Sequence, residues 1–247
     1  MINNSADFDL LKAEKFYQEA FAVFKRSAEP VKINLRYYPY VNVNHTIRVR
    51  NGKVYAKISE LFRVAPEGAH RALAYILVAK LLNKKVPPQA RESYRRFVNS
   101  EQFQKIALEN KRKKGRKIVT SAKGEHFNLE GIFEKLNLVY FQGSIRMPAL
   151  TWSRRKTFRR LGHYDAAHES ITISKTLDDQ NVPKFVVEYV VYHEMLHIKH
   201  PTQHRNGRRY NHTPAFKRDE EKFMYFDEAD QWIEQNALKL RKTARRK

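Results

Sequence analysis

Cysteine is absent from this chain, acidic residues are few, and no hydrophobic run is long. Without cysteine the chain has no disulfide, no thiolate metal ligand and no cysteine nucleophile, which fits a reducing compartment. Its longest apolar runs, Ala72–Ala79 and the valine-rich stretch around Glu188, are far too short to cross a bilayer. The first residues also lack the basic and apolar segments of a signal peptide. We therefore expect a soluble intracellular protein without a membrane partner, cytoplasmic and, in a bacterium, nucleoid-associated.

The shortage of acidic residues leaves a large positive charge. Lysine and arginine number 48 against 26 aspartates and glutamates, so the net charge is +22 over 247 residues. A field of this size attracts polyanions, nucleic acid before anionic membrane. The hydrophobic fraction of 42% is enough for a core, so the chain is expected to fold rather than stay disordered. We expect one or two domains, with DNA as a partner, including its single-stranded form.

The first half of the chain mixes helices with a β-hairpin. An amphipathic helix is predicted from Asp7 to about Arg26, and extended segments flank Asn51-Gly52, a strong hairpin signal. A buried helix follows Pro66, and a more polar helix runs from Gln89 towards a basic run. We divide the chain into an accessory region at 1–108, a basic linker at 109–126, a main domain at 127–238 and a basic tail at 239–247.

The second half predicts a helix, three short strands and two more helices. Asn128 caps the first helix, and the strands are "ALTWS", "RLGHYD" and "SITIS", the last with the alternation of a half-buried strand. Another helix begins at Pro183, and a final helix runs from Thr213 or Pro214 to about Leu238. The pattern predicts the α+β class, with a small antiparallel sheet packed on helices.

The helix after Pro183 contains His193-Glu194-Met195-Leu196-His197, an H-E-x-x-H pattern. Residues at i and i+4 share a helix face, so His193 and His197 can bind one Zn²⁺ ion. Glu194, beside them, can be the general base that takes a proton from a zinc-activated water. Apolar neighbours indicate a buried helix, where such polar groups need partners. The structural alternative is a pair of core histidines bonded to backbone carbonyls.

The third zinc ligand has several candidates. His212 opens the following helix and can close the site from another direction while leaving a fourth position for water, so we predict His212. His204, in the intervening loop, is the main alternative, and Glu220 and Glu221 are the carboxylate alternatives. His200 is not expected to bind the zinc ion; it should lie next to the ligands or face solvent.

Five segments follow one another in a fixed order from roughly Phe127 to Trp232: "LNLVYFQGSIRMPALTWSRR", "LGHYD", "ITIS", "VEYVVYHEMLHIKH" and "HTPAF". The last segment places His212 and Phe216 in an H-x-x-x-F pattern. This order resembles the SprT-like, or Spartan-type, zinc metalloproteases. The resemblance implies a zincin-like core with one zinc ion on His193, His197 and His212, and Glu194 as general base.

The same resemblance implies an endopeptidase that cleaves proteins bound or crosslinked to DNA, as in DNA–protein crosslink repair, with DNA stimulating the activity. Two departures stand out. The family often has a C-terminal zinc ribbon built on cysteines, and this chain has no cysteine. Residues 1 to about 110 match nothing in the family pattern, and we interpret them as an accessory domain or a helical cap.

Two basic segments are candidate DNA contacts. The first is "WSRRKTFRRLG", with cations interleaved with Trp152 and Phe158, a composition that suits single-stranded DNA. Its cations are Arg154, Arg155, Lys156, Arg159 and Arg160. The second is the run that begins with Lys111, Arg112, Lys113 and Lys114. The alternatives are a charged loop with its aromatics in the core for the first, and a solvated linker for the second.

Two other functions remain open from the sequence. One is a nucleic-acid-binding protein with a structural zinc site, which needs a fourth protein ligand such as His200 or His204. The other is a zinc hydrolase of small substrates such as nucleotides, which needs an enclosed pocket. For a peptidase, Tyr164, Arg209 and Tyr210 are the candidate oxyanion helpers.

Overall fold

The computed structural model describes residues 8–25, 29–116, 119–205 and 208–245. Contacts divide the chain into two units, Met1–Gly115 with His204–Arg209 and Arg116–Gln203 with Tyr210–Lys247. The boundary at Gly115 falls inside the segment 109–126 that the sequence predicts as a linker. Among the helices described, none is both long and apolar enough for a membrane span. Helices and small sheets together confirm the α+β class.

The first unit packs helices on a three-stranded sheet. Its elements are α1 (Leu10–Lys25), β1 (Ile33–Tyr38), β2 (Thr46–Arg50), β3 (Lys53–Ser59), α2 (Glu67–Leu81), α3 (Pro88–Val98) and α4 (Glu101–Lys114). The strand order is β1-β3-β2, with β3 parallel to β1 and antiparallel to β2. Asn51 and Gly52 take positive φ angles of 48° and 68°, so the predicted two-residue hairpin turn is confirmed. Asp7 and Arg26, the two ends of the predicted N-terminal helix, lie outside the described residues.

The polar helix predicted after Gln89 is two helices. The chain breaks at Asn99-Ser100, where the Ser100 hydroxyl accepts a hydrogen bond from Phe103 N at 3.4 Å and caps α4. The break brings the rings of Phe97 and Phe103 to 4.7 Å from each other. Helical periodicity does not show this cap, because a serine in a polar stretch is compatible with either outcome.

The second unit carries the H-E-x-x-H helix. Its elements are α5 (Leu129–Phe141), β4 (Ala149–Trp152), β5 (Gly162–Asp165), β6 (Ser170–Ile173), α6 (Lys184–Lys199) and, after a short hairpin, α7 (Pro214–Glu220) and α8 (Phe226–Arg245). The hairpin pairs β7 (Gln203–Arg205) with β8 (Arg208–Tyr210). All three predicted strands are present, and Asn128 caps α5 by accepting from Glu130 N at 3.1 Å.

The sheet of the second unit is mixed, which corrects the antiparallel arrangement expected from the sequence. Its order is β4-β6-β5, with β6 antiparallel to β5 but parallel to β4. Residues 153–161 connect β4 to β5, which lies at the opposite edge of the sheet. The chain then turns back as a hairpin, and β6 pairs between β4 and β5. β5 is therefore one of the two edge strands of this sheet, as the structure describes it.

The final helix predicted from Pro214 to about Leu238 is interrupted. Between α7 and α8 the chain turns Phe223 into the core, where its ring is 5.4 Å from that of Tyr192 and 5.7 Å from that of Tyr189. Met224 N donates to the Tyr140 hydroxyl at 3.1 Å. After this break α8 continues to Arg245, so residues 239–245 of the predicted tail are helical.

Candidate metal centre and catalytic site

Helix α6 is buried along most of its length and presents two histidines on one face. Val186, Val190 and Leu196 are among its buried residues, so the helix crosses the core of the second unit. His193 and His197 lie one turn apart with ring centroids 5.0 Å from each other. The helix ends at Lys199, two residues before Pro201, which disfavours helical conformation in the residue before it.

The start of α7 brings the third histidine to the same place. The Thr213 side chain accepts a hydrogen bond from Phe216 N at 3.2 Å, and Pro214 occupies the first turn. His212 stands immediately before this cap. Its ring centroid is 5.0 Å from that of His193 and 5.1 Å from that of His197. The structure thus brings together the three histidines predicted as ligands.

The spacing and protonation of these rings fit a zinc ion. The Nε2 atoms of His197 and His212 are 3.3 Å apart. Two nitrogens bound to one zinc at 2.0–2.1 Å with a tetrahedral angle would be separated by about 3.3 Å. Burial, and then the neighbouring His193 and His212, lower the pKa of His197 to about 4. Burial and His193 also lower the pKa of His212, so both rings are neutral at pH 7 and can offer a lone pair.

The aromatic ring of Phe216 supports all three histidines. Phe216 is fully buried, and its ring centroid lies 5.2, 4.9 and 4.7 Å from the rings of His193, His197 and His212. His212 and Phe216 are the two ends of the H-x-x-x-F pattern. The pattern therefore joins a ligand to the apolar surface against which the ligands pack.

A carboxylate on α7 orients the first histidine. Glu220 Oε1 is 2.5 Å from Nδ1 of His193 and accepts from the Tyr189 hydroxyl at 3.1 Å. Burial works to raise the pKa of Glu220, but the hydrogen bond and charge of His193 outweigh it, so the pKa is lowered. An acceptor at Nδ1 fixes the tautomer that leaves Nε2 of His193 for a metal. Glu220, a candidate ligand from the sequence, thus contacts the predicted ligand His193.

Glu194 points towards strand β5. Its Oε2 accepts a hydrogen bond from Tyr164 N at 2.6 Å, and the side chain is almost fully buried. Burial raises the pKa of Glu194, while the charges of His193 and Arg160 and the Tyr164 N–H oppose the rise. A Cβ atom on Gly162 would lie 2.5 Å from Glu194 Oε1 and 2.8 Å from a methyl carbon of Val190. Only glycine therefore leaves room for this carboxylate.

The hydrogen-bonding pattern of β5 puts Glu194 on the side of the strand that faces away from β6. Ser174 N donates to Leu161 O at 2.7 Å, so this pair is a hydrogen-bonded one in the β5–β6 ladder. Hydrogen-bonded and non-hydrogen-bonded pairs alternate in an antiparallel ladder. The backbone groups of Gly162 and Tyr164 therefore face away from β6, and the Tyr164 N–H meets Glu194 there.

Asp219 fastens the end of α6 to α7. Its Oδ2 accepts from Lys199 Nζ and His200 Nε2, both at 2.8 Å, and its Oδ1 accepts from Lys222 Nζ at 2.6 Å. The hydrogen bonds from Lys199 and then Lys222 hold the pKa of Asp219 well below its usual range. His200 is thus bonded to a carboxylate beside the site. His204 is half-buried on β7 and is not in the metal-ligand group found among the described residues.

The structure places the first basic segment between β4 and β5. Its five cations, Arg154, Arg155, Lys156, Arg159 and Arg160, are all exposed, and the charge of Arg160 acts on Glu194. Trp152, however, is buried and donates from Nε1 to Ala122 O at 3.1 Å, while Phe158 is half-buried against the core. These aromatics pack inside the fold, so base stacking on them does not fit. The DNA contacts themselves stay a prediction.

The other predicted positions belong to α4, β8 and β5. Lys111, Arg112, Lys113 and Lys114 form the last turn of α4 in the first unit, so this run is helical. Lys114 pairs with Glu60 at 3.1 Å. Arg209 and Tyr210 lie exposed on β8, and Tyr164 packs its ring against the core.

Comparison with known proteins agrees with this site. The SprT-like family model matches residues 129–232, a span that runs from the start of α5 into α8 and includes the three histidines. The search of curated proteins and the search of solved structures returned no match. The family is associated with metalloprotease activity and with zinc. Residues 129–232 of this chain are therefore similar to the SprT-like family.

Proposed function

We propose that this protein is a zinc-dependent endopeptidase that acts on proteins bound or crosslinked to DNA. The observation that carries the proposal is the convergence of His193, His197 and His212 beside the Glu194 carboxylate, which lies against the edge strand β5. Three protein ligands with one free position are typical of catalytic zinc sites, whereas structural sites are closed by four. His212 is the exposed member of the group, so the site faces solvent on that side.

Zinc bound by the three imidazoles would supply Lewis-acid polarisation of the attacking water and of the peptide carbonyl. Glu194 accepts the proton of that water and returns it to the nitrogen of the leaving amine. The Tyr164 N–H holds the carboxylate in place at 2.6 Å, and Gly162 leaves it room. Glu220 holds the His193 ring through Nδ1, which keeps Nε2 directed to the site.

The position of β5 at one edge of its sheet favours a peptide over a small substrate. An extended peptide can lie along an edge strand. Glu194 lies beside Gly162 and Tyr164 and binds the Tyr164 N–H, so a peptide that runs along β5 would pass this carboxylate. A hydrolase of small substrates would need an enclosed pocket instead.

A purely structural zinc site is less well supported. His200 Nε2 is already bonded to Asp219 at 2.8 Å, and the ligand group among the described residues stops at three histidines. A closed site would need a fourth protein ligand. The five cations of the β4–β5 loop support the DNA part of the proposal, because all five are exposed and the charge of one of them, Arg160, reaches Glu194.

The central test is the substitution Glu194→Gln. It keeps the shape of the side chain and removes the base, so cleavage of a DNA-bound protein should fall by about 10²–10⁴-fold, the usual contribution of a general base. Zinc content, measured by mass spectrometry of the purified protein, should stay at that of the wild type. Glu234→Gln, an exposed glutamate on α8, is the matched control and should leave cleavage unchanged. Wild-type cleavage by Glu194→Gln would refute the mechanism.

The DNA part has a separate test. Replacing Arg154, Arg155, Lys156, Arg159 and Arg160 by glutamine should abolish the stimulation of cleavage by DNA while leaving hydrolysis of an unstructured peptide intact. If DNA stimulates this variant as strongly as the wild type, the β4–β5 loop is not the contact that couples DNA to cleavage.

A further inference from the structure

The sheet of the first unit has one face in the core and one face exposed. Val54, Ala56 and Ile58 of the central strand β3 point inward and are buried at 3%, 0% and 0% exposure. Side chains alternate along a strand, so Lys53, Tyr55 and Lys57 are on the other face. The strand register then places Arg36 of β1 beside Lys57, and Arg48 and Arg50 of β2 beside Tyr55 and Lys53. We call Arg36, Arg48, Arg50, Lys53 and Lys57 the cationic sheet face.

The charge of this face is uncompensated. None of the three strands contains an aspartate or glutamate. Within the described part of the chain, Arg36, Arg48, Arg50 and Lys53 have no ion pair, whereas helical cations of the same unit do, such as Lys12 with Glu67 and Arg71 with Glu19. Direct cross-strand neighbours of like charge, Arg36 with Lys57 and Arg50 with Lys53, destabilise a sheet. A bound polyanion would neutralise these cations and so remove the repulsion between them.

Tyrosines lie among the cations. Tyr38 is on the same face of β1 and is 38% exposed, and Lys57 Nζ is 4.4 Å from its ring centroid. The Tyr40 ring lies 4.6 Å from the Tyr38 ring, and its hydroxyl is 3.3 Å from Thr46 Oγ1 on β2. Tyr55 stands on the same face in the middle strand and is half-buried. Flat aromatic surfaces next to cations fit unpaired bases that stack while their phosphates are neutralised.

We propose that the cationic sheet face, together with Tyr38 and Tyr55, binds single-stranded nucleic acid. Strands of five to seven residues give a surface about 17–23 Å long, at 3.3 Å per residue, which accommodates two or three stacked bases in sheet-based readers. Duplex nucleic acid would use the cations but leave the tyrosines without a partner, since its bases are already stacked. This binding is separate from peptide cleavage and stands without the proposed peptidase activity.

The test is fluorescence anisotropy of the full chain with labelled oligo-dT, oligo-U and a DNA duplex. The triple variant Arg36→Gln/Arg48→Gln/Lys57→Gln should weaken single-strand binding at least tenfold. It should also reduce the slope of log affinity against log salt by about 2, because each lost phosphate contact on a single strand removes about 0.7. The matched control Lys15→Gln/Lys84→Gln/Arg91→Gln removes the same charge from exposed helical and loop positions of the same unit and should change affinity much less.

Stacking is tested with Tyr38→Leu. It should weaken single-strand binding by about fivefold or more, since stacking on one aromatic contributes 1–3 kcal/mol per base, and leave duplex binding and the salt slope unchanged. Tyr225→Leu, at 43% exposure in the second unit, is the control. Binding of oligo-dT or of oligo-U with these responses supports the proposal and identifies the nucleic acid. Thermal melting must first show that each variant is folded. Any of three results would then overturn the proposal: equal losses of affinity in the two triple variants, unchanged affinity in Tyr38→Leu, or tighter binding of the duplex than of either oligomer.

Discussion

The two three-stranded sheets of this protein have the same strand order and the same strand directions. In each, the third strand along the chain is central, parallel to the first and antiparallel to the second. In the first unit β3 alternates between buried and more exposed residues, so one whole face stays available. In the second unit three of the four residues of β6 are buried, and the contact with Glu194 is made by the edge strand β5. The same topology thus offers a charged face in one unit and, in the other, an edge strand beside the proposed catalytic carboxylate.

Removing His212, the predicted third ligand, should have the largest effect on zinc content and on cleavage. His212→Ala takes away the ligand supplied by α7, so the purified protein should lose most of its zinc and all measurable cleavage. His204→Ala should keep both. Metal content and cleavage of a DNA-bound protein are the two measurements. If His204→Ala lost zinc while His212→Ala retained it, the third ligand would be His204 on the hairpin and not His212.

A smaller but still large effect is expected from Gly162→Ala. The new Cβ would stand 2.5 Å from Glu194 Oε1, so the carboxylate must move away from its position on β5. A misplaced catalytic group of this kind costs about 10²-fold in kcat. Gly131→Ala on α5 is the control, because nothing lies within 4 Å of its Cβ, and it should raise the free energy of unfolding by up to about 1 kcal/mol. Full activity in Gly162→Ala would contradict the close packing of β5 on Glu194.

Glu220→Gln should affect the metal rather than the base. Outer-shell partners of a histidine ligand typically contribute 10–100-fold to metal affinity, so zinc should dissociate correspondingly more easily in competition with a chelator. The neighbouring exposed residue Glu221 provides the control Glu221→Gln. Equal zinc affinity in the two variants would mean that the hydrogen bond at Nδ1 of His193 does not support the ligand.

The smallest effect is expected in the first sheet, at its hairpin. Gly52 has a φ angle of 68° and open space around its Cβ position, so Gly52→Ala introduces backbone strain without a clash. We expect a loss of about 1–2 kcal/mol in the free energy of unfolding, with zinc content and cleavage unchanged. Denaturant unfolding measures it. A drop in cleavage at temperatures where the variant is folded would mean that the two sheets do not act separately.

Local sequence patterns predicted much of the second unit. The H-E-x-x-H helix, the three strands and the histidine before "TPAF" each carry a short-range signal, namely helical spacing, alternation, or a capping threonine followed by proline. What local patterns did not predict is the order of the strands. The parallel pairing of β4 with β6 depends on where residues 153–161 carry the chain, and periodicity contains no such information.

The sequence also did not predict the roles of Glu220 and Gly162. Glu220 was a candidate ligand because carboxylates bind zinc, but only the structure gives its 2.5 Å contact with His193. Gly162 stands in the predicted strand "RLGHYD", and only the structure shows that its lack of a side chain makes space for Glu194. The interruption between α7 and α8 was missed because Phe223 fits a helical pattern as well as it fits the core it enters.

The packing of Phe216 against the three histidines bears on the stage of folding at which the protein would acquire its metal. A ring that is fully buried and touches three imidazoles positions them by packing, which does not require an ion. The three histidines are therefore held together by the fold itself, unlike the ligands of small zinc-ribbon modules that fold only around their metal. On the proposed function, we expect the protein to fold first and to acquire zinc afterwards. The supply of zinc would then set the fraction of active molecules without changing how many are folded.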